Sequence, residues 1–217
     1  MRRSPHRVSD VMTHAAVAVG RGALFKDIVE RMEQWQVSAL PVLEGDGRVI
    51  GLVSEADLLP KEEFRDSDPD RLTQLRRLSD LAKAGALTAE EVMTTPAVTV
   101  RADATLAEAA RIMALRHVKR LPVVNAEGLL EGVVSRGDLL KVFLRPDGEL
   151  ADEIRRDVVD VLFPAPVEPV HIMVREGVAT LTGRVQDPEA IPLAVRMVHG
   201  VEGVVDVECR LTAVDAE

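Results

Sequence analysis

At 217 residues, with 47% hydrophobic and 29% charged side chains, the chain has the composition of an ordinary globular protein and room for one large domain or several small ones. A net charge of −9 opposes binding to a polyphosphate backbone, and four Phe, one Trp and no Tyr leave few rings for base stacking, so nucleic acid is not expected as a partner. Cys209 is the single cysteine, which precludes an intramolecular disulfide, and no Cys/His cluster has metal-ligand spacing; a reducing compartment fits and no metal is expected. The N-terminus, Met1-Arg2-Arg3-Ser4-Pro5-His6-Arg7, is basic but lacks the apolar run of an export signal. With no apolar run of about 18 residues elsewhere, a cytoplasmic protein is expected.

In chain order, Ala15 to Val19 alternates like a short strand, and Leu24, Ile28, Val29 and Met32 recur at the spacing of a helix from about Leu24 to Gln36. Ala39-Leu40-Pro41-Val42-Leu43 is a strand, Glu44-Gly45-Asp46-Gly47 a hairpin turn, and Val49 to Val53 the returning strand. Ser54 opens a second helix, completing the order β-α-β-β-α. The same unit then recurs 81 residues later. Residues 11–59 laid over 92–140 without a gap share 19 identities in 49 positions, among them Val11-Met12-Thr13 with Val92-Met93-Thr94 and Leu40-Pro41-Val42 with Leu121-Pro122-Val123. A repeat of this length implies two copies packed about a pseudo-twofold axis. Its second copy predicts strands at Ala97–Val100, Leu121–Val124 and Leu130–Val134 and helices at Leu106–Arg116 and Ser135–Leu144.

Between the copies, Pro60 to Leu87 is rich in charge, and Leu72, Leu75, Leu78 and Leu81 follow at three-residue steps. This reads as an exposed loop and then an amphipathic helix over 69–84, serving either as a solvated linker or as a lid or dimer-contact helix over a ligand cleft. After Leu144, the turn Arg145-Pro146-Asp147-Gly148 marks a boundary. Beyond it come an amphipathic helix from Glu149 to Leu162, strands at Val170–Val174 and Val178–Val185 about a Glu176-Gly177 hairpin turn, a helix starting at Asp187-Pro188, and a strand at Val204–Leu211. The order is α-β-β-α-β, and the whole chain reads as α+β.

The apolar run Gly51-Leu52-Val53 leads into Ser54-Glu55-Ala56-Asp57-Leu58-Leu59, and Gly132-Val133-Val134 into Ser135-Arg136-Gly137-Asp138-Leu139-Leu140. A strand running into a helix N-terminus suits an anion, while Ser-x-x-Asp is equally a capping box; one set of side chains can do both. An Asp one turn past the Ser can accept two hydrogen bonds from a ribose diol. Arg136, His117, Lys119 and Arg120 add positive charge in the second copy where the first has Glu55, Gln36, Ser38 and Ala39, so the Asp138 position is expected to prefer a phosphorylated ligand. Lys119 and Arg120 could equally be solvent-exposed at a strand edge. The paired methionines Met12, Met93, Met32 and Met113 fit packing, Trp35 fits a core or dimer interface, and His171 and His199 fit the surface. No Walker loop, G-x-S-x-G or dinucleotide fingerprint is present, so no enzymatic reaction is expected.

In tandem, the "VMT…LPV…G…G-x-V-S-x-x-DLL" pattern resembles a pair of CBS domains, at residues 8–59 and 89–144 with a linker at 60–88. That resemblance implies paired sheets, a homodimer of pairs, and clefts for an adenosine-containing ligand: AMP, ADP, ATP or S-adenosylmethionine as a regulatory ligand rather than a cofactor. It assigns ligand contacts to Ser54, Asp57, Ser135 and Asp138, with Ser hydroxyls toward phosphate and the aspartates toward ribose, and the charges of Arg136, His117, Lys119 and Arg120 add these four to the candidate ligand-binding residues. Residues 148–214 resemble a BON domain through Val174-Arg175-Glu176-Gly177-Val178-Ala179-Thr180-Leu181-Thr182-Gly183-Arg184-Val185 and Gly200-Val201-Glu202-Gly203-Val204-Val205-Asp206-Val207, with Cys209 where that family often has Asn. The combination implies a bacterial, non-catalytic sensor whose CBS pair alters the dimer or the BON domain's contacts. The alternative is a CBS pair serving as a ligand-free dimerisation scaffold, with the BON domain docking a partner protein or a phospholipid surface.

Overall fold

Alternating and helix-spaced apolar residues give, among the described residues of the computed structural model of the chain, three three-stranded sheets flanked by helices. The structure describes residues 6–65 and 77–213. Residue contacts group the chain into two units, one of residues 7–136 and the other of residues from 137 onward with the N-terminal residues up to 6.

In the first unit each copy begins with one helical turn, α1 (Val8–Val11), followed by β1 (Val19–Gly20), α2 (Phe25–Trp35), β2 (Ala39–Glu44), β3 (Arg48–Ser54) and α3 (Glu55–Leu58). Among the described residues of the linker, helices α4 (Pro60–Glu63) and α5 (Leu78–Gly85) lead to the second copy: α6 (Ala89–Val92), β4 (Val100–Arg101), α7 (Leu106–Leu115), β5 (Arg120–Val124) and β6 (Leu130–Ser135). The expected linker helix over 69–84 is seen only from Leu78, since Leu72 and Leu75 lie outside the described residues. The predicted strands at 15–19 and 97–100 shrink to the two-residue β1 and β4. Each pairs in parallel with the middle strand of its sheet, and that strand pairs antiparallel with the last. Both sheets shift register at equivalent places, Val42/Leu43 and Val123/Val124, leaving Ile50 as the extra residue of a bulge whose carbonyl accepts from the Thr95 hydroxyl at 2.9 Å.

The copies are joined by hydrogen bonds that come in reciprocal sets. Thr13 and Val133 exchange both backbone bonds, and so do their counterparts Thr94 and Leu52. At the hairpin tips Val49 N–H donates to the Gly128 carbonyl and Leu130 N–H to the Gly47 carbonyl, both at 3.0 Å. The leading turns also cross over: Val8 N–H donates to Ala104 and Ala89 N–H to Ala23, each at 2.9 Å. Shifting one member of any of these pairs by 81 residues produces the other, which is the pseudo-twofold relation expressed in backbone chemistry. The leading segment of the second copy therefore completes the core of the first, where Ala86, Ala89 and Val92 pack with Val19, Ile28, Leu40, Val42 and Val53. Repeat periodicity alone carries no sign of that crossing.

Beyond residue 135, α8 (Arg136–Leu140) passes into a 3-10 turn at Lys141–Leu144 where the sequence pattern predicts one continuous helix. The second unit then folds as α9 (Asp147–Ile154), a π-helical stretch at Arg155–Val159, α10 (Asp160–Leu162), β7 (Glu168–Arg175), β8 (Val178–Val185), α11 (Ala190–His199) and β9 (Asp206–Ala213). Within this π turn the successive residues Val158 and Val159 are both buried in the core. Glu176 and Gly177 take positive φ, 51° and 76°, as a type I′ hairpin turn requires, and Asp147 steadies it by accepting from both of their N–H groups at 2.9 Å. Arg145 and Glu153 form an ion pair at 2.6 Å, with 10% and 12% of their side chains exposed, and Arg145 also donates to the Glu202 carbonyl. Asp187 takes an N–H from Glu189 at 2.8 Å, and α11 starts at Ala190, later than the Asp-Pro signal predicts. Among the described residues no helix is long and apolar enough to cross a membrane.

Two outcomes follow from the exchange of segments. A Cβ on Gly132 would stand 2.6 Å from the Thr13 carbonyl oxygen, so Gly132→Ala should cost about 1–3 kcal/mol in a urea denaturation experiment; unchanged stability would show that the strands need not approach so closely. The leading turn α6 and helix α7 are both closed by capping boxes. Backbone N–H groups of Leu87 and Thr88 hold the Glu91 carboxyl below its usual value of 4.5, and the Thr105 N–H followed by its hydroxyl does the same for Glu108. A lowered folded-state value means stabilisation present above the unfolded value and lost as pH falls through the folded one. Melting temperature should therefore drop on acidification below about pH 4.5, and less steeply in the Glu91→Gln/Glu108→Gln double variant.

Candidate functional site

The candidate site lies where the start of β2 meets the start of β5. Helices α2 and α7 both end in a left-handed residue, Gln36 at φ 50° and His117 at φ 54°, which turns the chain sharply into the next strand. In the first copy that turn leads to Ser38, and in the second to Lys119 and Arg120. The Arg120 guanidinium reaches the Ser38 hydroxyl at 2.5 Å. Just beyond, the Ser38 carbonyl accepts from Glu55 N–H at 3.1 Å, and the equivalent Lys119 carbonyl accepts from Arg136 N–H at 3.0 Å. Each Ser-x-x-Asp turn is thereby anchored to the strand entry of its own copy.

A cleft of about 260 Å³ opens here, lined by Ser54, Asp57 and Thr94 together with His117, Lys119 and Arg120 of the second copy. Asp57 is 9% exposed and is the buried charged residue among those described. Its carboxylate is fully engaged. Oδ2 accepts from Ser54 N–H at 2.8 Å and from the Ser54 hydroxyl at 2.6 Å, and this bond to the N-cap backbone is half of the α3 capping box. Oδ1 accepts from the Thr94 hydroxyl at 3.1 Å and from the Lys83 ammonium of linker helix α5. Four donors match the roughly four lone-pair positions of a carboxylate.

Five of the residues singled out from the sequence thus come together: Ser54, Asp57, His117, Lys119 and Arg120. Their grouping differs from the expectation that the three cationic residues favour the Asp138 position. The copies meet at Ser38 and Arg120, and the turn before β5 lines the cleft that holds the first copy's Ser54 and Asp57. Ser135 and Arg136 are not among the residues lining this cleft. Arg136 instead packs its guanidinium on the Val118 carbonyl at 3.2 Å, and Asp138, in the first turn of α8, pairs with Lys141 at 2.7 Å. Helix α3 has only four residues and opens with Glu55, so it offers an anion little dipole, and the positive charge of the cleft comes from side chains. The Ser54 hydroxyl points into Asp57 rather than toward a phosphate position.

Thr94 and Lys83 escaped the sequence reading. Thr94 could have been found, because a polar residue recurs in Val-Met-Thr at the head of both copies; Lys83 lies in the linker, which has no counterpart to compare with. Beside the cleft and sharing Ser38, Glu55 and Arg120 with it, a second groove of about 540 Å³ is floored by Phe25, Val29, Met32, Leu58 and Leu59. Trp35 is 55% exposed, which removes it from the core of this chain, and His171 and His199 are exposed as expected. Among the described residues no group of His, Cys, Asp and Glu is placed to hold a metal ion.

The CBS-domain family model matches residues 8–61 and 89–145, and the BON-domain model residues 146–215. Relatives include the uncharacterized protein MJ1426 of Methanocaldococcus jannaschii, 29% identical over an alignment of 153 residues that covers 63% of this chain and 90% of that protein. Another is CBSX2 of Arabidopsis chloroplasts, 28% identical across 55% of each chain. The crystal structure of CBSX2 in complex with AMP superposes with a TM-score of 0.57 at 29% identity, covering 64% of this chain and 97% of that one. The repeated sheets, their reciprocal bonds and these matches agree: the chain belongs to the CBS-domain family, as a tandem CBS pair followed by a C-terminal BON domain.

Proposed function

We propose that this protein is a non-catalytic regulator whose CBS pair binds an adenosine-containing ligand, with AMP the best match, in the cleft of Asp57. The observation that carries this reading is that His117, Lys119 and Arg120 line one cleft with a buried carboxylate, Asp57. A carboxylate suits a ribose diol and the cations suit a phosphate. The volume, about 260 Å³, sits just under the roughly 300–1,000 Å³ of small-molecule sites. That favours one phosphate over a triphosphate chain. The AMP complex of CBSX2 supports the same ligand class. By the repeat, Asp138 with Ser135 and Arg136 is assigned the role of a second, less cationic ligand position.

The exposed apolar residues Val29, Trp35 and Leu59, beside the groove on the first copy, support a homodimer formed through the CBS pair. In this reading ligand binding changes the dimer or the contacts of the BON domain, by the differential affinity of the ligand for two states. No reaction is assigned.

Isothermal titration with AMP tests the site. Removing a charged acceptor costs about 1.5–3 kcal/mol, so Asp57→Ala should weaken binding ten- to hundredfold. The Lys119→Ala/Arg120→Ala variant should weaken AMP far more than adenosine. Equal loss for both ligands would remove the phosphate assignment, and unchanged AMP binding by Asp57→Ala would remove the ribose assignment.

A further inference from the structure

We propose that Lys83 is a built-in competitor for the ligand: its ammonium holds the acceptor of Asp57 that a ribose diol must take, so occupancy of the cleft is coupled to release of linker helix α5. This rests on the reading of the cleft as an adenosine site. The coupling follows from hydrogen-bond capacity. All four positions on the Asp57 carboxylate are taken, two on Oδ2 by the Ser54 N–H and hydroxyl and two on Oδ1 by Thr94 and Lys83. The Oδ2 bond from the Ser54 N–H is half of the α3 capping box and stays as long as the helix does, which leaves Oδ1 as the oxygen with no bond to the backbone. A diol brings two donors, and Oδ1 is where two can be exchanged. Thr94 can rotate its hydroxyl away at little cost, because its backbone is fixed by the bonds to Leu52. Lys83 has to leave with its charge.

What holds Lys83 in place is the linker itself. Helix α5 is tied to α4 by the Lys61 ammonium on the Ala84 carbonyl at 3.0 Å, and by Arg77, which pairs with Glu63 and with Asp80. Lys61 also lies 5.0 Å over the Phe25 ring. The Lys83 and Asp57 side chains are 21% and 11% exposed, so their attraction is only partly screened by solvent. A ligand without a cis-diol lacks the pair of donors that could replace both Thr94 and Lys83. The tether therefore also selects for ribose over deoxyribose.

The test compares wild type with Lys83→Met, which keeps most of the unbranched apolar stem and removes the donors. AMP should bind Lys83→Met about tenfold more tightly, the loss of one competing charged hydrogen bond. The preference for AMP over its 2′-deoxy analogue should narrow. In wild type, AMP should raise amide hydrogen exchange across residues 78–86, measured by mass spectrometry; in Lys83→Met those amides should exchange faster already and respond little. AMP binding that is unchanged or weaker in Lys83→Met, or a wild-type helix that AMP leaves as protected as before, overturns the proposal while leaving the ligand site intact. Failure of both proteins to bind AMP overturns the ligand reading, and the tether as its competitor with it.

Discussion

The reciprocal backbone exchange between the two copies is the constraint on which the CBS pair depends. Each leading segment is a single capped turn plus an extended stretch, too short to be stable alone, and each finds its partners on the other copy: Thr13 on Val133, Thr94 on Leu52, Ala89 on Ala23. Because Ala89 and Val92 also fill the core around Ile28 and Leu40, the first copy cannot complete its packing without the segment that opens the second. Gly51 and Gly132 stand at the crossings, and the Gly132 approach to the Thr13 carbonyl leaves no room for a side chain. The cleft inherits its composition from the same exchange. Thr94 reaches Asp57 only because its segment belongs sequentially to the second copy and spatially to the first.

This arrangement gives the cleft two different walls. One is acidic and hydrogen-bonded in full, with Asp57 held by Ser54, Thr94 and Lys83; the other is cationic, with His117, Lys119 and Arg120 brought from the second copy. A molecule with a diol at one end and an anion at the other matches both. Under the proposed tether such a ligand would act on more than its own contacts, since Lys83 belongs to the segment joining the copies. A sensor needs that property, because binding that leaves every internal contact unchanged transmits nothing.

Much of this was legible in the sequence, for physical reasons that differ from residue to residue. Hydrophobic periodicity and hairpin glycines located the β2–β3 and β5–β6 hairpins to within a residue or two, because short antiparallel pairs are governed by local chemistry. Ser54-x-x-Asp57 was readable as both cap and ligand group, and the structure keeps the cap while the carboxylate faces the cleft. The extended stretches before β1 and β4 looked like longer strands, since alternation records burial on one side and not whether a neighbour is present to pair. The π turn at Arg155–Val159 hid within a helical pattern for a related reason: a single inserted residue shifts the apolar stripe without breaking it. Pairing His117, Lys119 and Arg120 with Asp138 assumed that each copy builds its own cleft. Nothing in a linear repeat reveals that residues of both copies line the cleft of Asp57.

The most direct measurement is a crystal structure of the protein with AMP. Ribose hydroxyls within hydrogen-bonding distance of Asp57 Oδ1, the phosphate beside Lys119 and Arg120, and Lys83 withdrawn from the carboxylate are the expected result. AMP lodged away from Asp57, or held there with its ribose turned outward and its phosphate far from both cations, would contradict the proposed site.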